Sequence, residues 1–182
     1  MIMKRICVFC GSSAGRGSVY IEATRELGRE MHRRGLGLVF GAGHIGLMGI
    51  LADSILEAGG EAIGVIPRVL VDRELAHTGL TELRIVNSMH ERKALMADLA
   101  DAFIALPGGF GTADEFFEML TWTQLKLQAK PIGFLNVNGF FDPLLAWLDR
   151  AVDEEFIKPK HRQIVRLATT ASDILSALES HR

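Results

Sequence analysis

The sequence predicts an α/β protein with one doubly wound, mostly parallel sheet and helices on both faces. Two observations lead to this class. Short runs of almost continuous apolar residues, typical of strands buried on both sides, alternate with longer segments of helical spacing. Glycine-rich turns join the two kinds of segment. The 182 residues, 48% of them hydrophobic, suffice for a single domain over 1–182 with a full core.

The first half of the chain predicts strands and helices in alternation. Residues 4–10, with the apolar run 6–10, predict the first strand, and helical spacing over 18–34 ends at Gly35, a residue type suited to a helix C-terminus. The apolar runs 36–40 and 62–66 predict the next two strands, with a helix over 47–58 between them. A polar loop is expected over 67–80.

The second half continues this alternation. A strand is expected over 81–86 and a helix over 88–100, opened by the capping box Ser88-x-x-Glu91. The apolar run 102–106 leads through a glycine-rich turn into a long helix that extends to about residue 127. A strand over 131–135, a helix over 141–154, a strand over 163–168 and a helix from 171 complete the chain. This succession is typical of a Rossmann-like domain.

Composition excludes several classes of protein. The formal net charge is −2, so the basic surface that nucleic-acid binding needs is not expected. No apolar run approaches the length of a membrane span or a signal-peptide core, and we expect a cytoplasmic protein. The two cysteines, Cys7 and Cys10, fall in the first strand and are expected to be buried, rather than to form a redox pair or a metal site.

The functional site is expected at the carboxyl ends of the strands, where open α/β sheets bind their ligands. One glycine-rich segment there contains Gly41, Gly43 and Gly46, which spell GxGxxG between a strand and a helix. The dinucleotide fingerprint also requires an acidic residue at the end of the next strand, and here that strand ends in Pro67 and Arg68. The motif therefore indicates either phosphate binding or tight turns, and gives little support to a dinucleotide-dependent oxidoreductase.

The second glycine-rich segment, 107–112, reads PGGFGT and opens the long helix. Its backbone N–H groups, the Thr112 hydroxyl and the helix dipole predict a cradle for one phosphate group. Glu115 would be repelled by a phosphate in direct contact and is expected at the sugar end of a nucleotide. Alternatively, Thr112-x-x-Glu115 is a second capping box.

Two cations and a long apolar helix add to this site. Arg92 and Lys93 lie in the first turn of their helix, three and four positions after Met89, on the stripe that should face the protein. A helix disfavours positive charge there, which favours an anion-binding role. The helix after residue 109 has apolar residues on two faces, which predicts a subunit interface. His44 and His90 have no visible partner and are expected to be structural.

These motifs together resemble the Lonely Guy (LOG) family of cytokinin riboside 5′-monophosphate phosphoribohydrolases. The resemblance covers nearly the whole chain and includes ICVFCGSSAG, the segment GLMG over 46–49, GVIP over 64–67 and MHERKA over 89–94. It is most specific over 107–115, where PGGFGTADE is similar to the family signature PGGxGTxxE. The chain departs from the family at 41–44, where GAGH replaces a GGG segment, and at 113–114.

The resemblance implies an enzyme that cleaves the N-glycosidic bond of N6-modified AMP, or of AMP itself, to free base and ribose 5-phosphate. It implies Arg92 and Glu115 as the catalytic pair, no cofactor or metal, and a homodimer. The substrate-binding residues that it implies are Glu74, Lys93, Gly108, Gly109, Phe110, Gly111, Thr112, Asp114 and Thr121.

Two other functions are weighed against this one. A nucleotide or cofactor carrier of the same fold would bind without cleaving, and the presence of both Arg92 and Glu115 argues against it. Proteins with this signature have also carried a lysine decarboxylase label. That chemistry needs pyridoxal phosphate on a lysine, and nothing around Lys93, Lys126 or Lys130 marks such a site.

Overall fold

The computed structural model describes residues 3–71 and 76–180, which form seven strands and the helices between them. The strands are β1 (Arg5–Phe9), β2 (Gly37–Phe40), β3 (Ala62–Pro67), β4 (Glu82–Val86), β5 (Ala102–Ala105), β6 (Ile132–Leu135) and β7 (Val165–Ala168). The α-helices are α1 (Ser18–Arg33), α2 (Gly46–Glu57), α3 (Met89–Leu99), α4 (Phe110–Gln124), α5 (Asp142–Asp153), α6 (Pro159–Arg162) and α7 (Ala171–Glu179). Short 3₁₀ helices span Arg68–Leu70 and Val137–Gly139.

The strands form one sheet in the order β4-β3-β2-β1-β5-β6-β7, and each neighbouring pair is parallel. The predicted Rossmann-like α/β fold is confirmed. The chain builds outward from β1 to β4 and then returns to place β5 on the other side of β1. The strand order therefore reverses between β1 and β5, and this is the point at which open α/β sheets bind ligands.

Helices cover both faces of the sheet, as predicted. On one face, α1, α2 and α7 pack their buried side chains on the sheet, among them Leu27, Leu51 and Ile174. On the other face, α3, α4 and α5 do the same, among others with Met96 and Phe116. The two helices that carry the predicted catalytic pair, α3 and α4, thus lie on one side of the sheet.

Helix ends follow local backbone chemistry. The predicted cap of α3 is confirmed, because the Ser88 side chain accepts a hydrogen bond from the Glu91 N–H at 3.1 Å. The prediction that α4 extends to about residue 127 is wrong. The helix ends at Gln124, and Lys126 has a φ of 60°, which a continuing α-helix does not allow. The short helix α6 was not predicted.

No helix within 3–71 and 76–180 is both long enough and apolar enough to cross a membrane.

Candidate functional site

The carboxyl ends of β1 and β5 are joined directly. The Gly11 N–H donates to the Pro107 carbonyl at 3.0 Å. A side chain on Gly11 would lie 3.4 Å from the Cα of Gly108 and 2.9 Å from the Ser13 carbonyl oxygen. The turn after β1 and the PGGFGT turn after β5 therefore form one continuous edge at the reversal of strand order.

Residue Gly109 is the N-cap of α4, and no side chain caps the helix there. The first N–H groups of a helix have no partner within it, and their dipoles favour an anion. The first turn of α4 contains no acidic residue, and Gly109, Phe110 and Gly111 are exposed. Thr112 is only 6% exposed, and a side chain on Gly108 would overlap its hydroxyl oxygen. The structure thus brings Gly108 to Thr112 together around an uncapped helix N-terminus.

The predicted capping box of Thr112 and Glu115 is wrong. Because α4 begins at Phe110, Thr112 is the third residue of the helix and not its N-cap. Glu115 lies in the second turn and is partly buried. Helix capping therefore does not account for Glu115, and its role in a functional site stays a prediction.

Arg92 is buried in the protein beside the first glycine-rich segment. Its side chain is 4% exposed, and Nη2 donates to the Gly41 carbonyl oxygen at 2.7 Å. A Cβ on Gly41 would overlap Nη2 and lie 3.1 Å from Cζ. The sequence predicted that Arg92 faces the protein, and it does. Its partner is a backbone carbonyl 51 positions away, which no local pattern could indicate.

The charges of Arg92 and Glu115 both act on Cys7, which lies in the middle of β1. Burial raises the pKa of the Cys7 thiol well above its ordinary value, the charge of Glu115 adds to this rise, and the charge of Arg92 opposes it. Burial, with Glu115, also raises the pKa of Cys10. Both members of the predicted catalytic pair therefore lie within electrostatic range of β1.

The GxGxxG segment has a packing role. Gly41 makes room for Arg92, and Gly46 has a φ of 65° and packs so closely on Ser12 that a side chain would overlap the Ser12 carbonyl group. The first N–H groups of α2 are already used, since the Gly11 carbonyl oxygen accepts from Leu47 at 3.0 Å and from Met48 at 3.3 Å. Of the two alternatives for this motif, the structure favours close packing and tight turns over phosphate binding.

Lys93 joins α3 to α4. Its Nζ lies 3.0 Å from Asp114 Oδ2 and 2.7 Å from Glu118 Oε2, and the Lys93 side chain is 10% exposed. Burial works against its charge, yet the hydrogen bonds and charges of Glu118 and Asp114 raise the pKa of Lys93 above its ordinary value. Lys93 thus forms an ion-pair bridge between the two helices of the candidate site.

Thr121 lies apart from the phosphate cradle. It lines an open groove of about 480 Å³ together with Lys93, Asp114 and Trp122. Twelve residues separate it from Gly109, which is roughly 18 Å along a helix. Within one chain, the structure does not bring Thr121 to the N-terminus of α4. Glu74, the remaining predicted substrate-binding residue, lies outside the described residues.

Sequence reasoning missed His77. Its side chain is 6% exposed, and its Nε2 lies 2.9 Å from Asp53 Oδ1. Its ring also stacks edge-on against His44, with 5.2 Å between ring centroids. His77 lies between β3 and β4, and Asp53 lies on α2, 24 positions earlier, so no spacing in the sequence could have indicated the pair.

The part of the chain that the structure describes contains no group of three or more His, Cys, Asp or Glu side chains arranged to hold a metal ion. Cys7 and Cys10 are both buried and unpaired by any disulfide, as predicted.

Comparison with known proteins identifies close relatives. A family model described as "Possible lysine decarboxylase" matches residues 48–178. The cytokinin riboside 5′-monophosphate phosphoribohydrolase LOG of Oryza sativa subsp. japonica is 49% identical over 178 residues, which are 98% of this chain and 74% of that protein. A cytokinin riboside 5′-monophosphate phosphoribohydrolase of Arabidopsis thaliana is 48% identical over 178 residues, covering 98% of this chain and 83% of that protein.

Solved structures share the fold at much lower identity. A molybdenum cofactor binding protein from Rippkaea orientalis has a TM-score of 0.73 at 19% identity, with 99% of this chain and 98% of that chain covered. The molybdenum cofactor carrier protein of Chlamydomonas reinhardtii has a TM-score of 0.71 at 20% identity over the same shares of the two chains. At this level of identity, the likeness establishes the fold alone.

Proposed function

The chain belongs to the Lonely Guy (LOG) family of cytokinin riboside 5′-monophosphate phosphoribohydrolases, and we propose that it hydrolyses the N-glycosidic bond of N6-modified AMP, or of AMP itself. The products are the free base and ribose 5-phosphate. One observation carries the proposal. Arg92 and Glu115, from different helices, both act electrostatically on Cys7 in β1, and Glu115 lies in the second turn after the uncapped N-terminus of α4.

The 5′-phosphate is assigned to the loop 108–112. Exposed backbone N–H groups at a helix N-terminus with no competing acid provide donors and a favourable dipole for a dianion. Binding the phosphate there fixes the ribose at a set distance from the second turn of α4. Glu115, one turn further along, is then placed to face the sugar and not the phosphate.

Glu115 acts on the developing charge at C1′. Breaking the bond between C1′ and the base leaves positive charge on the ribose, and an ionised carboxylate stabilises it. The same carboxylate orients water and accepts its proton as the water oxygen bonds to C1′. The departing base takes up a proton, so one water is consumed for each nucleotide. Arg92, held by Gly41, supplies a fixed positive charge beside this reaction.

The other activity that the family description names has less support. Lysine decarboxylation needs a lysine free to form a Schiff base with pyridoxal phosphate. Lys93 is bound to two carboxylates, and Lys130 Nζ donates to the Ala97 carbonyl at 2.6 Å. Neither side chain fits that role.

We also propose that the chain is a cytoplasmic homodimer assembled through α4. Trp122 and Leu120 on this helix are only partly buried, and Leu125 just after it is 59% exposed. A helix with apolar residues on two faces and one face uncovered fits a subunit interface. Light scattering at several concentrations tests the dimer, and a monomer throughout would contradict it.

A product assay tests the function. Purified protein is incubated with AMP or with isopentenyladenosine 5′-monophosphate, and free base is separated from nucleotide by chromatography. We expect base from the monophosphates and none from the unphosphorylated nucleosides, since the phosphate cradle is then empty. Glu115→Gln should lower kcat by roughly 100-fold to 10,000-fold while nucleotide binding remains measurable by calorimetry. Full activity of this variant would contradict the mechanism. Nucleotide binding without product from the unmodified chain would favour a carrier.

A further inference from the structure

Two hydrogen bonds fix the tautomer of the neutral His77 ring. The Gly79 N–H lies 3.1 Å from Nδ1, and a backbone N–H can only donate, so Nδ1 accepts and carries no proton. In the neutral ring the proton then sits on Nε2, which donates to Asp53 Oδ1 at 2.9 Å. The His77 side chain is 6% exposed, whereas the Asp53 side chain is 52% exposed, so the pair lies at the edge of the protein interior.

The backbone of the same segment is attached to the first glycine-rich loop. The His77 N–H donates to the Ala42 carbonyl oxygen at 2.9 Å, and Ala76 forms an isolated antiparallel bridge with Gly43. Asp53, on α2, therefore anchors the His77 ring, and the His77 backbone anchors the loop. The loop between β2 and α2 is supported from outside at two consecutive residues.

Ala42 explains why this loop needs outside support. It is completely buried and has a φ of 63°, a left-handed conformation that an alanine adopts only at a cost. Such a conformation persists when the surrounding contacts hold it. The LOG family has a GGG segment here, where this chain has GAGH. A glycine in place of Ala42 would adopt the same conformation without strain. In this chain the His77 contacts supply part of what holds Ala42.

The strained residue is next to the carbonyl that holds Arg92. Gly41 precedes Ala42, and its carbonyl oxygen accepts a hydrogen bond from Nη2 of Arg92 at 2.7 Å. We propose that His77 and Asp53 are positioning residues for the proposed hydrolysis: they fix the loop at Ala42 and thereby fix Arg92. This inference rests on the proposed function only in its kinetic consequence, and its geometric content is independent of the reaction.

Kinetics of matched variants test the inference. His77→Ala should lower kcat on the order of 10-fold to 100-fold, as expected for a small displacement of a catalytic group, with little change in nucleotide affinity because the phosphate loop is separate. His77→Asn retains an acceptor in place of Nδ1, and His77→Gln retains a donor in place of Nε2. Each should recover part of the rate. His161→Gln, on the remote helix α6, is the matched control and should not change it.

Asp53→Ala keeps the inference testable if His77→Ala fails to fold. Asp53 is 52% exposed, so its removal leaves no hole in the core, and we expect a smaller loss of kcat in the same direction. Unchanged kcat in both His77→Ala and Asp53→Ala, in folded protein, would overturn the inference.

Nitrogen-15 NMR separates this inference from the proposed function. The His77 ring should show a protonated Nε2 and a bare Nδ1, and the Arg92 guanidinium signal, assigned with Arg92→Lys, should broaden or shift in His77→Ala. If the unmodified chain releases no base, the proposed function fails and these signals alone decide the inference. An unaltered Arg92 signal in His77→Ala, or the opposite tautomer at His77, would overturn it whatever the activity.

Discussion

Gly41→Ala tests the arrangement around Arg92 most directly. A Cβ at position 41 would overlap Nη2 of Arg92 and lie 3.1 Å from Cζ, and the neighbour on its other side is Met48 Sδ at 3.5 Å. Arg92 is 4% exposed and cannot move into water without leaving the site. The guanidinium must therefore shift by about 1 Å or more, and the hydrogen bond to the Gly41 carbonyl is lost or distorted.

The expected effect on activity exceeds the effect on stability. A misplacement of about 1 Å costs on the order of 100-fold in rate. Loss of a hydrogen bond to a charged group costs about 1.5 to 3 kcal/mol of unfolding free energy. We therefore expect kcat for isopentenyladenosine 5′-monophosphate to fall roughly 100-fold in a protein that is destabilised but folded, as measured by steady-state kinetics and urea denaturation.

Gly37→Ala is the matched control. Gly37 begins the same strand, β2, and its added methyl group would meet the side chains of Glu61 at 2.8 Å and Arg5 at 3.3 Å. These two side chains are more than one third exposed and can move aside. The control should keep its activity. A Gly41→Ala enzyme with unaltered kcat would show that the contact between Gly41 and Arg92 does not position the catalytic group.

Three further predictions concern stability and reactivity. Lys93→Met should lower the unfolding free energy by about 1 to 2 kcal/mol, since it leaves two carboxylates of α4 without their cation. Because the folded pKa of Lys93 is raised, its contribution is complete below the unfolded pKa of about 10.4 and is lost as pH rises through the higher folded value. Urea denaturation of the unmodified chain should show this alkaline loss, and Lys93→Met should not. Iodoacetamide at pH 8 should leave Cys7 and Cys10 unmodified in the native protein and label both in urea. The reason is that burial raises the pKa of each thiol. Labelling of the folded chain would contradict this. Ser88→Ala should cost about 1 kcal/mol through the lost cap of α3, measured by urea denaturation, whereas an unchanged midpoint would show that the cap contributes nothing.

The sequence predicted what depends on local pattern. Apolar runs located most of the strands, whereas β4 is largely exposed and was expected only from its place in the alternation. Ser88 located the start of α3 because capping chemistry is confined to a few neighbouring residues. The glycine-rich segment at 107–112 likewise indicated an exposed helix N-terminus. The fold class follows from these elements, because strands that alternate with helices form a parallel sheet.

What the sequence did not reveal depends on contacts between distant residues. Lys93 was predicted to bind an anion, and the carboxylates that it contacts lie on another helix, more than 20 positions away. The bond from Arg92 to Gly41 and the pair of His77 and Asp53 arise only after the sheet has placed α2, α3 and the loops side by side. The start of α4 was also ambiguous from sequence, since Thr112 suits both an N-cap and a first-turn position.

The contact between the Gly11 carbonyl oxygen and the first N–H groups of α2 has a consequence for the evolution of this fold. A Rossmann-like domain could acquire a second phosphate site at that helix and so accept a dinucleotide. Such a site would need the N–H groups of Leu47 and Met48. Here both already donate to the Gly11 carbonyl oxygen, at 3.0 Å and 3.3 Å. No exchange of one side chain for another removes a main-chain carbonyl. Release of those donors requires the turn after β1 to take a different path, which means insertion, deletion or rebuilding of several residues. A single substitution therefore cannot free these donors for a second phosphate.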